Sequence, residues 1–311
     1  MRALFFLFLF FSFSVFAEEL KPPYKVILIT GASRGIGWES AKKLAFFGHH
    51  VYASMRSLVT FEHSQEIGSS TIQLLELDVT NESSIAQAFE IIEKREGRLD
   101  VLINNAGCAV FGPIEVVTVN QAQRTFEVNF FGTMRLMQAA LPAMRKQNKG
   151  LIINMSSTSG VRPSPGWDIY GASKFAIEGL SEAVAAVARE WNIDVVVVEP
   201  GTTATCFMEK STEIGNRHAS DAYDIFMPNA LKWMKERLAN GQNPEEVAEV
   251  ISSIVASEKR QFRYQTSAKG KQTVADRHCD PTGEKSICEQ EELIKKLFEG
   301  PLNPKTGSSY R

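Results

Sequence analysis

The run Val26-Ile27-Leu28-Ile29-Thr30 is short and β-rich, and Gly31-Ala32-Ser33-Arg34-Gly35-Ile36-Gly37 follows it directly, opening a helical stretch that runs to about Gly48. Strand, glycine turn and helix in immediate succession make the first half of a β-α-β unit, which folds as a parallel sheet with helices on its faces. The rest of the chain keeps the alternation. Strands are expected at 26–30, 50–55, 72–78, 100–104, 150–155, 194–199 and 261–264, with helical stretches between them. The clearest is Asp194-Val195-Val196-Val197-Val198-Glu199. This order implies an α/β fold built on a doubly wound parallel sheet, and the length allows one larger domain or two small ones.

The glycine turn also carries chemistry. Its glycines permit a tight bend and a close backbone approach to a pyrophosphate, and the following helix N-terminus offers N–H groups and a positive dipole end. The spacing is G-x-x-x-G-x-G, which departs from the commoner G-x-G-x-x-G fingerprint. Leu74-Leu75-Glu76-Leu77-Asp78-Val79 reads as a strand ending at Asp78, a carboxylate able to accept from an adenine amino group. Leu99-Asp100-Val101-Leu102-Ile103 runs into Asn104-Asn105-Ala106-Gly107, where small and amide side chains let the backbone pass close to a ribose. An NAD site needs an acidic residue about twenty positions past the glycine turn, yet the second strand ends Ala53-Ser54-Met55-Arg56. Arg34 and Arg56 offer guanidinium donors for a 2′-phosphate instead, so NADP is the expected cofactor and NAD the alternative.

Tyr170-Gly171-Ala172-Ser173-Lys174 lies thirteen positions beyond Ser157. Tyr170 and Lys174 are four apart on a segment that reads as helix, so they share a face. A phenol is a poor acid-base at neutral pH, and a neighbouring ammonium favours the phenolate and draws its pKa down. Ser157 follows Leu151-Ile152-Ile153-Asn154-Met155, which reads as a buried parallel strand, and its hydroxyl would stand at the carboxyl end, where open α/β sheets bind ligands.

Thr30-Gly31-x-x-x-Gly35-x-Gly37, Asn104-Asn105-Ala106-Gly107, Asn129, Ser157, Tyr170-x-x-x-Lys174 and Pro200-Gly201 together resemble the short-chain dehydrogenase/reductase family over about residues 25–265. The resemblance implies a single α/β domain with a Rossmann-type doubly wound parallel sheet, and a nicotinamide cofactor held by Gly31, Ser33, Arg34, Gly35, Ile36, Gly37, Arg56, Asp78, Val79, Asn105, Ala106 and Gly107, with Tyr170 and Lys174. It also implies that Pro200, Gly201, Thr203 and Thr205 border the nicotinamide. The catalytic set so implied is Asn129, Ser157, Tyr170 and Lys174, with Asn129 holding a water in a proton relay.

A narrower likeness lies in Val51-Tyr52-Ala53-Ser54-Met55-Arg56, Gly112-Pro113-x-Glu115, Phe207-Met208-Glu209-Lys210, Asn243-Pro244-Glu245-Glu246-Val247-Ala248 and Asp280-Pro281-Thr282-Gly283. It points to the branch of the 17β-hydroxysteroid dehydrogenase type 1 and photoreceptor-type retinol dehydrogenases. The implied reaction interconverts a hydrophobic alcohol and its carbonyl. The rival readings are a catalytically silent nucleotide-binding protein on the same fold, and an epimerase or dehydratase of the extended relatives.

Residues 202–242 interrupt the alternation and carry Phe207, Met208, Tyr223, Phe226, Met227, Trp233 and Met234. An insertion this long in a compact domain is usually a lid or binding loop, and its apolar content suits a hydrophobic substrate. Val110, Phe111, Val161 and Trp167 would add walls. Residues 266–311 are then a C-terminal extension. A net charge of −2 gives no basic field, so nucleic acid is not an expected partner, and a homo-oligomer is expected. No metal site is expected, because His278-Cys279 with Cys288 lacks a fourth ligand. Cys279 and Cys288 would either pair in an exported protein or stay thiols.

The N-terminus follows a different rule. Met1-Arg2 precedes Ala3 to Ala17, a stretch broken only by Ser12 and Ser14 and carrying seven phenylalanines; Glu18-Glu19 and Pro22-Pro23 follow. A positive start, a short apolar core and small residues at the junction fit an export signal cleaved after Ala17, with 18–24 as linker. The alternative is a membrane anchor, although the run is shorter than the ~20 residues of a spanning helix. N-terminal sequencing of the native protein separates the two. A chain beginning at Glu18 is the expected result, and intact Met1 in a fraction released only by detergent would establish an anchor.

Overall fold

Val26–Ile29 is buried at every position and forms β1, an interior strand of the sheet. The computed structural model describes residues 24–59, 71–216 and 221–299. The expected signal segment, most of the linker, residues 217–220 of the expected lid and the chain after 299 lie outside the described residues. After β1 come α1 (Gly35–Phe46), β2 (His50–Met55), β3 (Ile72–Glu76), α2 (Glu82–Glu96), β4 (Val101–Asn104), β5 (Ala109–Phe111), α3 (Val119–Phe126) and α4 (Thr133–Gln147). They continue as β6 (Gly150–Met155), α5 (Asp168–Ala188), β7 (Ile193–Glu199), α6 (Phe207–Ser211), β8 (Thr212–Ile214), α7 (Phe226–Ala239), α8 (Pro244–Ala256), β9 (Arg263–Gln265), α9 (Ala268–His278) and α10 (Glu284–Glu299).

Seven strands pair in the order β3-β2-β1-β4-β6-β7-β9, every pair parallel. The chain therefore winds outward from β1 in one direction and then, through β4, in the other. The crevice at this reversal, between the carboxyl ends of β1 and β4, is where such sheets place ligands. Both faces of the sheet are covered, which is why its strands are continuous apolar runs. One face packs Trp38, Ala41 and Leu44 of α1 with Val247, Ile251 and Ile254 of α8. The other packs Ile85 and Ile92 of α2, Leu136 and Met144 of α4, and Ala185 of α5.

The expected seven strands are the seven of this sheet, with shifted ends. The strand expected to reach 78 stops at Glu76, because the chain turns into α2: Asp78 N donates to Ser84 Oγ (3.0 Å), and Asn81 caps the helix by accepting from Ser84 N. The last strand begins at Arg263 rather than 261. A small parallel ribbon of β5 and β8 was not foreseen, since three residues are too few for periodicity to show. The segment expected as a lid folds as α6, β8 and α7, and the C-terminal extension returns to it. Phe226, Met227, Ala230 and Met234 form a third core with Phe111, Trp167, Met208 and Leu297 of α10. Among the described residues no helix is long and apolar enough to cross a membrane, and Cys279 and Cys288 are exposed, unbridged thiols.

Two positions of α1 test this packing. Trp38 is 1% exposed and Phe46 is 82% exposed. Trp38→Ala should cost about 3–5 kcal/mol of unfolding free energy, as large-to-small core changes do, while Phe46→Ala should stay within about 0.5 kcal/mol. Denaturant unfolding of both variants reads the difference.

Candidate active site

Thr30, the residue after β1, joins the two strands that flank the crevice. Its Oγ1 accepts from Asn105 N and Ala106 N, both at 3.1 Å, and Asn105 Nδ2 returns bonds to the carbonyls of Thr30 (2.9 Å) and Gly31 (3.0 Å). This lattice holds the glycine turn so close to the loop after β4 that a Cβ on Gly31 would lie 2.7 Å from Ala106 Cα. One on Gly37 would lie 2.5 Å from Asn105 Nδ2. Gly31 and Gly35 also have φ of +64° and +55°, conformations costly for other residues.

A cleft of about 740 Å³ opens over this turn, lined by Gly31, Ser33, Arg34, Gly35, Ile36 and Gly37 and by Arg56, Asp78, Val79, Asn105, Ala106 and Gly107. Pro200, Gly201, Thr203 and Thr205 line it farther along, as do Ser157, Tyr170 and Lys174. The residues fit a dinucleotide. A backbone cradle that any Cβ would fill faces the start of α1, where an anion is favoured. Arg34 and Arg56 line the same cleft. Asp78 Oδ1 accepts from Thr80 N (2.9 Å) and Thr80 Oγ1 (2.8 Å), so an adenine amino group would meet Oδ2.

Ser157 is set by the end of β6. Ser156 N and Thr158 N donate to the carbonyls of Val198 and Pro200, which pins the turn to β7. Gly160 then lets α5 come close, since a Cβ there would lie 3.1 Å from Lys174 Cβ and 2.5 Å from Ser156 Oγ. The Ser157 hydroxyl, which accepts from Ser159 N at 3.1 Å, thereby reaches a hydrogen bond with the Tyr170 hydroxyl. The Tyr170 ring packs edge-on to Trp167 (5.3 Å between centroids) and against Phe207 (5.8 Å).

Lys174, 5% exposed, donates to the carbonyl of Met155 at 2.7 Å, and its Nζ lies 5.6 Å from the centre of the Tyr170 ring. The expectation of a phenol drawn down by this ammonium meets a competing effect. Burial pushes the Tyr170 phenol up to about 12, with the Ser157 hydrogen bond acting in the opposite direction. Burial likewise brings the Lys174 ammonium down to about 8. Both shifts disfavour the charged form in a dry site.

Asn129 lies in a π-helical turn, Glu127–Gly132, between α3 and α4, a distortion frequent at functional sites. Its Nδ2 donates to Cys108 O and Ser173 Oγ, and its Oδ1 accepts from Cys108 N, all at 2.9 Å. Both amide hydrogens are therefore committed to holding the strand after Gly107 against α5. A water for a relay would have to find another donor. Phe207, Met234, Leu238 and Arg237 also line the cleft, and Arg237 is tied down by Thr202 Oγ1 (2.9 Å) and the Trp233 ring. Arg237, Leu238 and the bridging role of Thr30 were not read from the sequence. The polar residue between β1 and its glycine turn was the available signal for Thr30; nothing local marked the other two.

A family profile described as short chain dehydrogenase matches residues 25–214. The chain is 39% identical over 241 residues to the 3-ketodihydrosphingosine reductase of Bacteroides thetaiotaomicron, covering 77% of this chain and 86% of that one. It is 35% identical to retinol dehydrogenase 8 of Bos taurus (83% and 86% covered) and 34% identical to the human 17-beta-hydroxysteroid dehydrogenase type 1 (83% and 82%). Among solved structures, a short-chain dehydrogenase from Streptomyces avermitilis superposes with a TM-score of 0.76 at 28% identity, covering 88% of this chain and 98% of that one. ElxO with NADP bound superposes at 0.66 and 27% identity, covering 80% and 100%. With its glycine cradle and its Ser157-Tyr170-Lys174 cluster opening into one cleft, the chain belongs to the short-chain dehydrogenase/reductase family, in the branch of the retinol and 17β-hydroxysteroid dehydrogenases.

Proposed function

We propose that this chain is an NADP-dependent oxidoreductase that interconverts a bulky apolar alcohol and its ketone or aldehyde. The observation that carries the reading is the Ser157–Tyr170 hydroxyl pair, set beside a buried Lys174 in the cleft that the glycine cradle opens. A bound nicotinamide would supply or accept the hydride. In the reducing direction Tyr170 Oη gives its proton to the substrate oxygen, and Ser157 Oγ holds that oxygen in line. Lys174 keeps a positive charge near the phenol as it becomes phenolate, which offsets the burial that opposes ionisation. Asn129 acts through Cys108 and Ser173, as a positioning residue.

The substrate side supports an apolar molecule with one reacting oxygen. Trp167, Phe207, Met234 and Leu238 line the cleft beside Tyr170. The relatives are named for a retinol, a 17β-hydroxysteroid and a ketodihydrosphingosine, each an alcohol or a ketone, which agrees with this reading. Arg34 and Arg56, with no carboxylate at the end of β2, support NADP over NAD. An export signal at residues 1–17 would place the enzyme in an enclosed compartment such as a lumen or periplasm, where it keeps access to its co-substrate.

Tyr170→Phe should lower turnover ~100- to 10,000-fold, the usual contribution of a positioned acid-base, while the affinity for NADPH measured by fluorescence titration stays near wild type. Undiminished turnover would remove Tyr170 from the chemistry. Oxidation of labelled NADPH by the wild-type protein with a retinoid, steroid or long-chain ketone also separates an enzyme from a silent nucleotide-binding protein.

Arg56→Asp should reverse the cofactor preference by weakening NADP and admitting NAD, because it exchanges a donor for the 2′-phosphate for an acceptor for the 2′-hydroxyl. The ratio of kcat/KM for the two cofactors reads the change. An unaltered ratio, or equal efficiency with both cofactors in the wild type, would count against the assignment.

A further inference from the structure

The chemistry above leaves two buried carboxyl groups unused. Glu178, one helical turn beyond Lys174 on α5, is 6% exposed, and Glu199, the last residue of β7, is fully buried. Their side chains come within hydrogen-bonding reach of each other. One guanidinium serves both. Arg263 Nε on β9 lies 3.0 Å from Glu178 Oε2 and 3.6 Å from Glu199 Oε1, and Arg263 Nη2 is drawn away to Glu182 at 2.6 Å. Gln265 Nε2 donates to Glu199 Oε2 at 2.6 Å. Oε1 of Glu178 and Oε1 of Glu199 are left buried without a hydrogen bond, the 3.6 Å approach of Arg263 being too long for one.

Two ionised carboxylates in contact, away from water and short of donors, repel each other and forfeit hydrogen bonds. One proton between them removes both costs. We propose that Glu178 and Glu199 share a single proton in the folded protein, and that the negative charge remaining on the pair sustains the Lys174 ammonium beside Tyr170. Tyr170, Lys174 and Glu178 recur at four-residue intervals on α5 and so lie along one face. Lys174 Nζ is hydrogen-bonded to a carbonyl, that of Met155, so its charge depends on groups around it. Burial lowers its pKa, and Cys108 and Glu178 act against that fall. Burial pushes the Cys108 thiol up to about 11, which keeps it neutral at ordinary pH and leaves Glu178 as the working counter-charge. The charged groups facing the pair are Lys174 and Glu182 on α5 and Arg263 on β9. Burial together with the charge of Glu178 raises Glu199 to about 7, against the pull of Gln265 and Arg263.

The shared proton is testable without any chemistry. A carboxyl whose folded pKa is raised contributes stability below its unfolded pKa and loses it as pH climbs through the folded value. The wild-type unfolding temperature should therefore fall between about pH 5 and pH 8, and Glu199→Gln, which fixes the neutral form at the same shape, should remove that part of the fall. The same slope in both proteins would overturn the shared proton.

The coupling to Lys174 rests on the proposed reaction and has its own readout. Glu178→Gln keeps an acceptor for Arg263 and leaves the remaining negative charge on Glu199, off the Tyr170-Lys174-Glu178 face of α5, so the carboxylate that acts on Lys174 is gone. The substitution should move the high-pH limb of kcat for carbonyl reduction toward lower pH by roughly one unit, since removing a negative charge weakens proton binding at both Lys174 and Tyr170. NADPH affinity should be unchanged. An unmoved limb in an active variant would overturn the coupling, and wild-type protein without any NADPH oxidation would overturn the reaction while leaving the stability test of the shared proton to stand or fall alone.

Discussion

The hydroxyl of Thr30 and the side-chain amide of Asn105 close the crevice between β1 and β4 at its base. In a doubly wound sheet this is the point where neighbouring strands send their connections in opposite directions, so the loops there diverge and leave backbone groups without ladder partners. Four hydrogen bonds between Thr30-Gly31 and Asn105-Ala106 satisfy those groups. They also hold the glycine turn at a spacing that only glycine tolerates, with Gly31 and Gly37 against Ala106 and Asn105. The cradle for a pyrophosphate, the direction of α1 and the position of Gly107 beneath Lys174 all follow from that contact.

The reacting end of the cleft depends on a second kind of constraint, polar groups kept dry. Ser157, Lys174 and Asn129 are buried, and each is held by hydrogen bonds to backbone groups. Burial raises the phenol of Tyr170 and lowers the ammonium of Lys174. The two shifts bring the pKa values of phenol and ammonium apart, so the proposed reaction draws its charge stabilisation from elsewhere: from the Ser157 hydroxyl, from the cofactor it would bind and from the proposed carboxyl pair behind Lys174. A dry pocket strengthens each of these interactions.

The cap over the cleft is assembled from distant parts of the chain. β8 adds to β5 as a parallel strand, and Arg124 on α3 makes a two-pronged contact with Glu213 on β8, at 2.9 and 2.6 Å. From the other side α10 packs Leu297 against α7. The apolar wall of the cleft therefore draws on elements that are separate in sequence, and the C-terminal extension packs against one of them.

What the amino-acid sequence determined by itself was whatever rests on short-range geometry. The β1-turn-α1 unit, the seven-strand alternation, the shared face of Tyr170 and Lys174 and the strand-end placement of Ser157 depend on residues within a turn or a strand of each other, where period and spacing suffice. Tertiary structure alone decided contacts across long separations. Asn129 meets Ser173 across 44 positions, Arg263 meets Glu178 across 85, and Thr30 meets Asn105 across 75. No local pattern announces such partners, because hydrogen bonding and burial depend on which strands become neighbours, and the sheet order settles that only after the chain has folded. For the same reason the sequence supplied the proposed acid-base residues, and the fold set the balance of burial and charge around them.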